Sequence, residues 1–96
     1  MALLDLLGRR WALRVLWELR HEGVPTFREL QRRCGDISSS VLSERLRELR
    51  EAGIVASEAT GGYELTDEGR SLLELLAPVD AWAKRWAERT PGGARG

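Results

Sequence analysis

The chain has 96 residues, 43% of them hydrophobic and 31% charged, and its 15 basic and 15 acidic residues cancel to a formal charge of zero. That is one small domain, too apolar for wholesale disorder, and the neutral balance removes bulk charge as a sign of a nucleic-acid partner. No run approaches the roughly 20 apolar residues that span a bilayer, the first residues lack a signal-peptide pattern, and the single Cys34 has no partner for an internal disulfide, so the expected setting is reduced and cytoplasmic.

Ala2 to Leu7 reads as a short apolar helix interrupted by Gly8. A second helix is expected from about Arg10 to Glu22, with Gly23 placed to end it. At 100° per residue, Trp11, Ala12, Val15, Leu16 and Leu19 share one face, and Leu13 and Trp17 lie on the other. Val24-Pro25-Thr26 is a turn or short extended piece. A third helix spans about Phe27 to Cys34, and Gly35-Asp36 breaks it. Ser38 is placed to cap a fourth helix, Ser39 to about Ala52, whose apolar line is Leu42, Leu46 and Leu49. Ser39, Ser40, Ser43, Glu44, Arg47 and Arg50 share its opposite arc.

Ile54 to Ser57 and Tyr63 to Leu65 read as two strands joined through Gly61-Gly62. Thr66 is placed to cap a long closing helix with Asp67 and Glu68 in its first turn. Pro78 is expected to kink or split that helix. The domain is expected to span residues 1–90, with 91–96 a flexible Gly-rich tail.

Charge is segregated along the chain. Residues 9–20 carry a net +3 and residues 58–80 a net −5, and fourteen of the fifteen basic residues are Arg. A basic side on a neutral molecule follows. Two short helices across a tight break, then a hairpin and a closing helix, is the order of a winged helix-turn-helix. In that arrangement the third helix braces the fourth, and the fourth lays its polar face in the major groove. The hydroxyls of Ser38, Ser39, Ser40 and Ser43 permit close approach to base edges, although Ser38 reads first as a cap. Arg47 has the reach for guanine or phosphate, Glu44 for cytosine N4, and Arg28 and Arg32 for backbone phosphates. The plainer reading of Arg47 is a surface pair with Glu44, Glu48 or Glu51.

The stretches "LLGRRWALRVLWEL", "TFRELQRRCGDISSSVLSERLRELREAGIV" and "YELTDEGRSLL" resemble HxlR-type winged helix-turn-helix regulators, a branch related to the MarR type. The resemblance covers roughly residues 6–86. It implies a fold that is mostly α with a small β-hairpin, dimerising through the N- and C-terminal helices. It implies a homodimer on a pseudo-palindromic operator in double-stranded DNA, regulating nearby genes, with repression the favoured sign. It leaves room for an unidentified small-molecule effector at the dimer interface. Leu3, Leu6, Leu7, Trp11, Leu76, Val79, Trp82 and Trp86 are the expected dimer residues. The sequence departs from the family in several ways, among them Cys34 at a usually apolar position and Trp17 at a usually charged one. The N-terminal cysteine carried by many members is absent, the wing from Ala56 to Gly62 holds no Lys or Arg, and positions 39 and 40 are both serine.

Cys34 is read as a buried apolar residue rather than a redox sensor. One His and one Cys make a metal site improbable, and no cofactor is expected. Arg45 falls among Val41, Leu42 and Leu49, which predicts an internal ion pair with Glu18 or Glu29 in preference to a base contact. Trp17 is expected to pack rather than line a pocket. No catalytic set or phosphate-cradling loop is present, so an enzyme is not expected. The alternative function is a winged-helix dimer that binds protein without specific DNA recognition, supported by the zero net charge and uncharged wing.

Overall fold

A computed structural model describes residues 2–89. Its elements are α1 (Leu3–Leu7), α2 (Ala12–Glu18), α3 (Phe27–Arg33), α4 (Ser39–Glu51), β1 (Val55–Ser57), β2 (Tyr63–Leu65) and α5 (Asp67–Arg89). The tail expected over 91–96 lies outside the described residues. No helix among the described residues is long and apolar enough to cross a membrane.

Helix α2 is shorter than its sequence suggests at both ends. Trp11 takes a left-handed backbone, φ 75°, immediately before it, and the Ala12 amide bonds the Arg9 carbonyl at 3.1 Å. A bulky residue in that region costs about 1–3 kcal/mol. The turn holds because the Trp11 ring packs against the core. At the other end, the Leu19 and Arg20 amides reach back only three residues, to the Leu16 and Trp17 carbonyls, which tightens and stops the helix. The Arg20 guanidinium lies 4.2 Å over the Trp17 ring.

Thr26 caps α3 by accepting from the Glu29 amide at 3.2 Å, and Ser38 caps α4 by accepting from the Val41 amide at 3.3 Å. Between the two helices, Gly35 and Asp36 are both left-handed. The Asp36 amide bonds the Gln31 carbonyl at 2.9 Å, which closes the turn. The hairpin pairs Val55 with Leu65, Ala56 with Glu64 and Ser57 with Tyr63. Thr26 bridges Gly62 and extends this small sheet. Gly62 is required there, since a Cβ would lie 2.4 Å from Val24 Cγ1 and 2.6 Å from the Val24 carbonyl.

Thr66 caps α5, accepting from the Gly69 amide at 3.1 Å. Gly69 lets α5 cross the entry to β1, because a Cβ would sit 2.2 Å from the Ile54 carbonyl oxygen. Of the two outcomes expected at Pro78, a kink or a split, the split does not occur, and the helix runs unbroken to Arg89. Pro78 and Glu74 are both exposed, so water can take the carbonyl that the missing amide frees.

The core gathers Leu6, Leu16, Leu30, Leu42, Leu46, Leu49 and Leu65, with Cys34 and Ile54 among them. The body formed around this core is elongated, 45 × 27 × 26 Å. A helix of α5's 23 residues is about 34 Å long, and its second half carries exposed Val79, Trp82 and Trp86.

Candidate nucleic-acid interface

Helix α4 is divided by its own periodicity. Leu42, Leu46 and Leu49 fill the core, so Ser39, Ser40, Ser43, Glu44 and Arg47 are turned to solvent. Arg28 and Arg32 are exposed one helical turn apart on α3, and neither makes an ion pair with a described residue. All eight residues expected to meet DNA are therefore accessible. The Ser38 hydroxyl is occupied as the α4 cap, which leaves it a positioning role. Sequence reasoning missed Gln31. Its amide nitrogen donates to the Ile37 carbonyl at 2.8 Å and to Ser39 Oγ at 3.2 Å. Gln31 thus ties the bracing helix to the first turn of α4, and nothing local in the sequence marks it.

Arg47 is engaged on both edges. Its Nε donates to Glu44 Oε2 at 3.3 Å and its Nη2 to Glu44 Oε1. Its Nη1 donates to Glu51 Oε1 at 2.8 Å. The hydrogen bond from Arg47 holds the Glu44 carboxyl below the usual carboxylate range. Glu44 and then Glu51 push the Arg47 guanidinium further up. The surface pairing weighed from the sequence is the arrangement of the free protein.

Arg45 differs from its expectation. It pairs with Glu48, one turn along the same helix, and not with Glu18 or Glu29. Arg14 takes Glu18 at 2.9 Å instead, and Glu29 accepts from the Thr26 hydroxyl at 3.2 Å. Glu48 is buried and also holds Arg9 at 2.9 Å. The chain between α1 and α2 is thereby fastened to α4. Two cations on one buried carboxylate offset its desolvation.

The wing brings two acids together. A hydrogen bond between Glu58 and Glu64, then their mutual repulsion, raises the Glu58 carboxyl above its ordinary value. This hairpin presents no cation to a phosphate. Cys34 is 1% exposed, and burial, followed by the Glu18 charge, pushes its thiol up. That is the environment of an unreactive core thiol.

The residues expected in a dimer seam separate into two groups. Leu3, Val79, Trp82 and Trp86 are exposed, and the two indoles stack with centroids 6.4 Å apart. Leu6 is buried in its own chain, and Leu7, Trp11 and Leu76 pack on that core, so these four offer a partner less surface than the sequence suggested. Leu4 and Leu75 were missed and are the most open of the large apolar side chains. The signal for Leu75 was available. Leu72, Leu75, Val79, Trp82 and Trp86 alternate by three and four, the spacing of a helix-to-helix seam.

An exposed polar helix braced across a tight turn, followed by a hairpin and a closing helix, defines a winged helix-turn-helix protein. Residues 6–91 match the HxlR-like helix-turn-helix family. The uncharacterized HTH-type transcriptional regulator YvaP of Bacillus subtilis (strain 168) is 32% identical over 90 residues, covering 88% of this chain and 82% of that protein. The crystal structure of quinone-bound YodB from B. subtilis is 33% identical with a TM-score of 0.76, over 84% of this chain and 90% of that one. A structure from Thermoplasma volcanium GSS1, described as a possible HxlR family transcriptional factor, shares the fold with a TM-score of 0.81 at 22% identity. That likeness covers 94% of this chain and 84% of that one. The chain belongs to the HxlR-like helix-turn-helix family, and its function is that of a DNA-binding transcription regulator. These relatives do not favour the alternative of a protein-binding module.

Proposed function

We propose that the chain acts as a homodimer that places α4 of each subunit in successive major grooves of an inverted-repeat operator. The observation that carries this reading is the division of α4. Its apolar line is consumed by its own core, while Ser39, Ser40, Ser43, Glu44 and Arg47 remain exposed. In this reading Arg28 and Arg32 position the module on phosphates, and the α4 residues choose the sequence. The short acidic hairpin takes no part in phosphate binding. The dimer rests on α5 with the exposed leucines of α1, whose apolar surface the single chain leaves open. Repression follows if the operator overlaps a promoter. YodB is seen with a quinone bound. A small molecule at the dimer interface is the corresponding form of control here, with Cys34 excluded as its handle by burial.

The test is selection of bound duplexes from a random pool at low salt, followed by sequencing. The expected result is an inverted repeat with half-site centres about one helical turn apart. Retention of DNA with no enriched sequence overturns the specific reading.

A further inference from the structure

Helix α4 carries its own competitor for DNA. The guanidinium of Arg47 has two edges with which it can form paired hydrogen bonds. Glu44 occupies one edge with both carboxylate oxygens, and Glu51 accepts from Nη1 beside the other edge. A guanine or phosphate that takes a paired contact on the Nε/Nη2 edge must displace Glu44, and one that approaches the Nη1/Nη2 edge meets Glu51 beside it. The three side chains sum to a charge of −1 on a helix face turned to solvent. The neighbouring cations Arg28 and Arg32 have no such restraint among the described residues.

We propose that Glu44 and Glu51 hold Arg47 back from DNA, so that it engages only a base edge able to outcompete both carboxylates. This rests on the reading of α4 as the groove-entering helix. Under it, Arg47 contributes little to random-sequence binding, where phosphate contacts dominate and a guanine meets the guanidinium in register only by chance. It contributes fully at an operator, where a guanine presents O6 and N7 together. Glu44 and Glu51 are therefore specificity-determining residues that act by lowering the affinity for wrong sites. Individual exposed pairs are weak, but both act on one guanidinium, and specificity is a ratio that moderate factors shift.

The experiment compares the selected operator with a random-sequence duplex of equal length across a salt series. It uses the full chain, Glu44→Gln with Glu51→Gln, Arg47→Ala, and all three substitutions together. Every substituted side chain is exposed, so folding is expected to be retained, and circular dichroism checks it. With Arg47 present, removing the two carboxylates is expected to raise random-duplex affinity about 3- to 10-fold. It is also expected to steepen the salt dependence by about one unit of slope. In the Arg47→Ala background the slope is expected not to change. An equal gain and an equal slope change in both backgrounds would show simple relief of repulsion and overturn the proposal. If instead Arg47→Ala leaves operator affinity at the wild-type value, Arg47 takes no part in the site and the proposal is overturned, whereas failure of the full chain to select any operator would overturn the reading of α4 itself.

Discussion

Helices α4 and α5 have the same design and different fates. Each carries a line of large apolar residues along one face. On α4 that line is finished within the chain, with Leu42 and Leu49 both fully buried. On α5 it is left open, with Leu75 70% and Trp82 52% exposed. The difference separates two kinds of recognition. A helix whose apolar face is already satisfied has only polar groups to offer a partner, and on α4 these are the serines, Glu44 and Arg47. A helix whose apolar face is open meets a partner by burying it, and the seam spacing on α5 suits a second helix of the same kind.

The largest effect that would test this contrast is on α4. Leu46→Ala removes a side chain packed inside the core and is expected to cost about 2–5 kcal/mol of folding stability. Denaturant titration reads the loss. A cost under 1 kcal/mol would mean that α4 is less anchored than its burial implies. The matching change on α5 is Trp82→Ala with Trp86→Ala. These rings lie outside the core, so the expected outcome is a halved mass in light scattering with helical content retained. An unchanged mass would remove α5 from the seam.

Arg47→Ala sharpens the polar side of the comparison. It is expected to weaken operator binding by about 1–3 kcal/mol and to leave the oligomer intact. The smallest effect concerns the wing. The Glu58 carboxyl is raised in the folded protein by Glu64, so the folded state takes up a proton there more readily than the unfolded chain. Stability from this pair is present in acid and lost as pH rises through the carboxylate range. Glu58→Gln is therefore expected to gain on the wild type over that range and to hold a constant small advantage above it. Thermal midpoints measured across pH would show this. A difference independent of pH would rule out the acid pair.

Much of the architecture could be read along the chain because it depends on local chemistry. The period of Leu42, Leu46 and Leu49 identified the buried face of α4, and with it the exposed serines and Arg47. Ser38 and Thr66 marked helix starts, since short hydroxyl side chains there accept the free amides of the first turn. Gly61-Gly62 marked the hairpin. The errors arose where a residue's partner was set by neighbours distant in the chain. Trp11 reads as a helical residue, but packing against the core holds it left-handed. Leu6 reads as seam material because its segment is apolar throughout, yet the body of the protein takes it.

The sequence by itself determined the order of elements and the polar face of α4, because these follow from periodicity and capping, and its motifs carried the family resemblance. Only the tertiary structure decided which charges meet across elements. Glu48 became the joint between Arg9 and Arg45 because folding brought the turn before α2 against α4 and buried all but an edge of that carboxylate. Arg47 was left to Glu44 and Glu51 because the core had already claimed the opposite face of its helix. Pairs within a helix follow the three- and four-residue spacing that the sequence displays, whereas a pair between distant segments is set by the distance and dielectric that folding creates.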